Sequence, residues 1–174
     1  ALEKGLFCKR QDGDLMRGKV WPGDCNFPDF TNPTVRAWWS DLVAMFPKQE
    51  IGGIWNDMNE PAVFEIGTFP DDVRHNYDGL DVSHRRGHNV YGMQMARSTY
   101  EGLKKHQPEK RPFVLTRSGF AGVQRFSAVW TGDNTSNDEH LLLGQSLVNA
   151  LGLSGMAFAG VDIGGFFGNG SPNL

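Results

Sequence analysis

Four short apolar runs, each closing on a polar group, constrain this chain more than any other feature of its sequence. Residues 51–55 run into Asn56, Asp57, Asn59 and Glu60, and residues 112–116 run into Arg117. Residues 127–131 run into Asp133 and Asn134, and residues 156–161 run into Asp162. Helical patterns lie between most of them. Asn32 and Pro33 give a cap followed by a first-turn proline. Val35, Trp38, Trp39, Leu42, Val43 and Phe46 then recur at helical spacing, and Pro47 is expected to end the helix. Met93, Ala96, Tyr100 and Leu103 predict a second helix over about 88–106. Asn137 or Asp138 can cap a third through Leu141, Leu142, Leu147, Val148 and Leu151, with Gly152 as its stop. Residues 1–30 read mostly as loop, and residues 60–87 as a polar stretch rich in Gly and Pro. Strand-like runs alternating with helices predict an α/β fold with a parallel sheet covered on its faces. One link is short. Only residues 117–126 separate the second and third runs, whereas a parallel crossover usually needs about a dozen residues or more. A reduced crossover is expected there.

Composition removes several classes. The 174 residues carry 17 Lys+Arg and 20 Asp+Glu, a net charge of −3, with no basic footprint for nucleic acid. No apolar run approaches the ~18 residues of a membrane span. Cys8 and Cys25 are too few for a disulfide framework and lack metal-site spacing. No charged-then-apolar leader opens the chain. The start at Ala1 and the stop in the loop of residues 168–174 read as the ends of a processed chain or an excised piece, and localisation stays open. Sequons at Asn134 and Asn169 are short enough to arise by chance.

In α/β barrels the C-terminal ends of the strands carry the active site, so side chains from successive strand ends converge. An Asp or Asn after one strand commonly caps the next helix or makes an Asx turn. Three carboxylates and an arginine after four successive strands are harder to explain that way. Converging carboxylates suit two chemistries: glycoside hydrolysis, or a Mg²⁺ or Mn²⁺ site for phosphoryl chemistry. Trp21, Trp55, Trp130, Phe166 and Phe167 lie beside these polar groups. Aromatic faces stack on sugar rings, and no phosphate-cradling glycine loop is present. The neighbours therefore favour a sugar. Trp38 and Trp39 read as packing.

These residues resemble a known family. Trp55-Asn56-Asp57-Met58-Asn59-Glu60-Pro61 looks like the nucleophile signature of glycoside hydrolase family 31, the α-glucosidase and α-xylosidase family. Trp130-Thr131-Gly132-Asp133-Asn134 resembles its acid/base signature. Val20-Trp21-Pro22-Gly23, Pro28-Asp29-Phe30-Thr31-Asn32-Pro33, His88-Asn89-Val90-Tyr91-Gly92, Arg111-Pro112-Phe113-Val114-Leu115-Thr116-Arg117 and Val161-Asp162-Ile163-Gly164-Gly165-Phe166 are similar to family segments in the family's order.

The resemblance implies a retaining α-glucosidase with Asp57 as nucleophile and Asp133 as acid/base. It implies sugar contacts from Trp21, Trp55, Met58, Arg117, Trp130, Asp162 and Phe166. It calls for no cofactor and no metal, and the implied partner is an oligosaccharide. An ionised nucleophile needs donors or a cation, and Arg117 is the obvious cation. A retaining pair should sit ~5–5.5 Å apart. Glu60 reads as support for the strand-end loop. Asp138 departs from the resemblance, standing where many relatives carry an aromatic.

The family barrel is a (β/α)₈ TIM barrel of ~250 residues, so residues 1–174 are expected to be a partial catalytic barrel with about four of eight strands. The remaining barrel and flanking β domains are then partners, and the piece alone is expected to be inactive. Within the family, α-xylosidase and transglycosylase are alternatives. Outside that activity, the alternatives are a sugar-binding protein with an unused site and a metal-dependent hydrolase on Asp57, Glu60, Asp133 and Asp162.

Overall fold

The computed structural model describes residues 3–46 and 51–174. Its central element is a parallel sheet of β3 (Ile54–Asn56), β6 (Val114–Thr116), β7 (Ala128–Trp130) and β8 (Ala159–Gly160), side by side in chain order. The two longer links carry helices. Helix α2 (His84–His106) lies between β3 and β6, and α3 (Asp138–Leu153) lies between β7 and β8. Helix α1 (Pro33–Ala44) precedes the sheet and packs along α2. All four strands are shorter than the apolar runs that announce them.

The local signals for helix starts hold. The Asn32 side chain accepts from the Thr34 N–H at 2.9 Å, with proline in the first turn. Asn137 caps α3, accepting from the His140 N–H at 2.8 Å. Asp138 becomes the first helical residue, where its charge suits the positive helix end. Helix α3 runs one residue past the expected stop at Gly152. Pro47 lies outside the described residues, and α1 ends at Ala44 with Met45 as its C-cap.

One expectation needs correction, and two stretches hold strands that hydropathy does not mark. First, α2 begins at His84 rather than near His88. Its first turn buries His84 and Gly87 instead of aliphatic residues, so no apolar period marks it. Gly87 is required there, because a Cβ would come within 2.8 Å of the His75 ring. Second, residues 3–30 are mostly loop, as expected, but they also hold one hairpin. β1 (Arg17–Val20) and β2 (Gly23–Asn26) form an antiparallel hairpin. Its strands have no continuous apolar face, which hid them from hydropathy. Third, the polar stretch holds a two-residue ladder of β4 (Arg74–His75) and β5 (Val82–Ser83).

The short link between β6 and β7 is a reduced crossover, as expected. One 3₁₀ turn, Val123–Arg125, replaces an α-helix, and fully buried Val123 anchors it.

Two apolar clusters hold these parts together. One gathers Val43, Met93, Ala96, Leu103, Val114, Val123 and Val129 between the helices and the sheet. The other gathers Leu6, Met16, Phe27, Phe30, Val35, Val63, Phe69, Val73 and Tyr91 under the N-terminal segments. Phe30 sits edge-on to Trp39 and Tyr91 at 5.1 and 5.4 Å. Removing such a ring typically costs ~3–5 kcal/mol. Trp38 and Trp39 pack against this cluster as expected, and Trp39 donates Nε1–H to Thr99 Oγ1 at 3.0 Å.

Candidate active site

Sheet register decides what meets at the strand ends. Asn56, Thr116 and Val129 are aligned across β3, β6 and β7 and are buried toward the helices. Strand alternation therefore puts Trp55, Leu115 and Ala128 on the opposite face. One pleat further, Asp57, Arg117 and Trp130 follow on that same face.

Arg117 joins the set. Its Nη1 lies 3.1 Å from Asp57 Oδ1 and 3.3 Å from Asp133 Oδ2. Two oxygens that share one nitrogen lie no farther apart than the sum of those lengths, and that bound admits the ~5–5.5 Å of a retaining pair. Glu60 grips the rest of the guanidinium, accepting from Nε at 2.8 Å and Nη2 at 3.0 Å. This fork-on-fork contact fixes the plane of Arg117. Hydrogen bonding to Glu60 is the main cause of an Arg117 pKa above its ordinary value. The charges of Glu60, Asp57 and Asp133 act in the same direction, while burial opposes them. Met58 takes a left-handed backbone, φ 54°, and its N–H donates to Asp57 Oδ1 at 2.8 Å. Asp57 Oδ1 thus faces both a guanidinium nitrogen and a backbone donor.

Asn59 ties the two loops together from below. It is 1% exposed. Its Nδ2 donates to Thr116 Oγ1 at 2.8 Å, and its Oδ1 accepts from the Ser118 N–H at 3.1 Å. The loop carrying Asp57 and Glu60 is thereby fastened to the strand end carrying Arg117. Truncation in Asn59→Ala leaves the Ser118 N–H and the Thr116 hydroxyl short of a partner. A loss of at least about 2 kcal/mol is expected, read as a lowered urea midpoint in the intact protein.

The loop after β7 is bound to the loop after β8. The Phe166 and Phe167 N–H groups both donate to Asn134 O at 2.9 Å, and Asn134 Nδ2 donates to Asp162 O at 3.0 Å. His140 Nδ1 accepts from the Thr135 N–H at 2.9 Å. Asp133, Asp162, Trp55, Trp130 and Phe166 line one cavity of about 400 Å³. Trp55 and Phe166 are more than half exposed there. Trp130 is 8% exposed and packs edge-on against Trp55 at 5.3 Å, as floor rather than open platform. Trp21 is 82% exposed at the hairpin tip, and its ring contact is with Phe64 at 4.9 Å. No described hydrogen bond, ring contact or cavity joins it to the others. A larger cavity of about 530 Å³, around Tyr100, Arg111, Phe126 and Met156, lies at the opposite strand ends and holds none of these residues.

The chain matches the model described as the Glycosyl hydrolases family 31 TIM-barrel domain over residues 1–174. The chain belongs to glycosyl hydrolase family 31. Its four parallel strands are part of that family's α/β barrel. Among curated family 31 relatives, it is 52% identical over 174 residues to Alpha-glucosidase 2 of Bacillus thermoamyloliquefaciens, covering 99% of this chain and 22% of that protein. It is 46% identical over 180 residues to Neutral alpha-glucosidase AB of Homo sapiens, covering 98% of this chain and 18% of that one. Among solved structures, the glucosidase II alpha subunit bound to alpha3-Glc2 superposes with a TM-score of 0.89 at 41% identity, covering 97% of this chain and 19% of that chain. The chain thus spans about a fifth of the length of these family 31 relatives.

Proposed function

We propose that this chain is the catalytic segment of a larger retaining α-glycosidase that releases terminal α-linked glucosyl residues from oligosaccharides. The observation that carries the reading is the single Arg117 nitrogen shared by Asp57 and Asp133. Two carboxylates from separate strands converge there beside an aromatic cavity.

Asp57 attacks the anomeric carbon while Asp133 gives its proton to the departing oxygen, leaving a β-linked glycosyl-enzyme. Water then attacks, Asp133 takes its proton, and the sugar leaves with its original α configuration. Trp55 and Phe166 offer exposed rings to the sugar, Trp130 supports Trp55, and Asp162 and Arg117 supply polar contacts. Met58, next to Asp57, and Trp21, at the hairpin tip, are further sugar contacts on the family resemblance alone. The remaining strands and the flanking β domains come from the rest of the protein, and residues 1–174 alone are inactive.

The test is to follow an aryl α-glucoside by proton NMR in the intact protein. The α-anomer is expected as the first sugar released. The β-anomer first, or activity abolished by EDTA, defeats the proposal. Within this mechanism Glu60 is a positioning residue. Glu60→Gln loses the charge-assisted grip on Arg117, worth about 1.5–3 kcal/mol. A fall in kcat/KM of about 10- to 100-fold is expected, with the circular dichroism spectrum unchanged.

A further inference from the structure

Away from these strand ends, a second group of chemically able side chains is buried under the N-terminal segments. Cys8 comes from the first bridge-forming stretch, Asp29 from the loop before α1, and His75 from β4. Cys8 and His75 are each 1% exposed, and Asp29 is 6% exposed. Cys8 Sγ lies 3.9 Å from His75 Nδ1, and His75 Nδ1 lies 3.2 Å from Asp29 Oδ1. One donor atom from each of the three falls within 4.8 Å of the others. With zinc bonds of ~2.3 Å to sulfur and ~2.0–2.2 Å to nitrogen and oxygen, tetrahedral edges are ~3.3–3.6 Å. The observed edges need shifts of only a few tenths of an ångström to about 1 Å.

We propose that Cys8, Asp29 and His75 form a structural site for one zinc-class divalent ion. The support that metal ligands require is already in place. Metal-bound imidazoles and carboxylates are held by outer partners. His75 Nε2 meets His84 Nδ1 at 2.8 Å. Asp29 Oδ2 accepts from the Asn76 N–H at 2.6 Å, and Oδ1 accepts from the Thr31 hydroxyl at 2.6 Å. Without an ion, burial and the Asp29 charge push the Cys8 thiol well above its ordinary pKa. A divalent cation reverses that repulsion, and thiolate, carboxylate and neutral imidazole then balance its charge.

Binding is a proton exchange. In the metal-free state His75 Nδ1–H donates to Asp29, and His84 Nδ1–H donates to His75 Nε2, an assignment made from the bonding network. The metal takes Nδ1, so that proton passes to Nε2 and donates to His84 Nδ1. The His84 proton moves in turn to its own Nε2. The Cys8 proton alone leaves, one per ion bound.

Because the ligands are buried, the ion enters during folding, and the test uses intact protein expressed in zinc- or cobalt-supplemented medium. About one equivalent of metal attributable to this site is expected, with a thiolate-to-cobalt charge-transfer band. Both should persist in Cys25→Ser and fall at least tenfold in Cys8→Ser and in His75→Asn. A wild-type protein without the metal and band, or a Cys8→Ser protein that keeps both, overturns the proposal. If Cys8→Ser does not fold, Asp29→Asn decides: unchanged metal content in that variant also overturns it.

Discussion

In the intact protein, Asp57→Asn should lower turnover of an α-glucoside by about 10⁴-fold or more, the scale of removing a covalent nucleophile. Asparagine keeps the volume and an oxygen for the Met58 N–H, so the loop stays in place. It loses the negative charge that faces Arg117 and the ability to attack the anomeric carbon. The thermal midpoint should therefore stay near that of the wild type while kcat collapses. Asp57→Gly offers a sharper check. Azide can enter the vacated space and displace the leaving group from the β face. A single inversion converts an α-glucoside into a β-glucosyl azide. A variant keeping more than about one hundredth of wild-type turnover would remove Asp57 from the nucleophile role.

Asp133→Ala should separate substrates by their leaving groups. General acid help contributes about 10²–10⁴-fold, and an oligosaccharide oxygen needs all of it. An activated aryl or fluoride leaving group departs without a proton, so its first step survives and the β-linked intermediate accumulates. A burst followed by slow turnover is expected. Azide should then speed the second step, and because it attacks a β-linked intermediate, the product is the α-glucosyl azide. The azide products of the two variants thus have opposite configurations. Equal losses on all leaving groups, with no burst, would deny Asp133 the acid/base role.

Much of this arrangement was legible in the sequence because it rests on local rules. Asn32 with Pro33 and Asn137 before α3 announce helix starts through their own side chains. The four strand ends announce themselves by the change from apolar to charged residues. What stayed hidden depends on distant partners. Asn59 is one polar residue among several in its motif, and only the fold shows that it binds the Arg117 strand end. The β1–β2 hairpin lacks an apolar stripe, and the first turn of α2 is buried through a histidine and a glycine. Cysteine spacing looked for metal ligands between Cys8 and Cys25, whereas the proposed ligands of Cys8 are brought to it by the loop before α1 and by β4. Asp138, which breaks the resemblance, turns out to serve the start of α3.

The 3₁₀ turn between β6 and β7 has a kinetic consequence. Closing the segment from Thr116 to Ala128 involves a little over two fewer doublings of chain length than closing that from Asn56 to Val114. The difference in chain entropy is about 1.4 kcal/mol. The two strands that carry Arg117 and lead to Asp133 can therefore find each other as a nearly local event. The strand leading to Asp57 must wait for α2 to form and return. Pulsed hydrogen exchange should show the β6–β7 ladder protected ahead of the β3–β6 ladder, so that Arg117 and Asp133 assemble first and Asp57 arrives at a place already prepared for it.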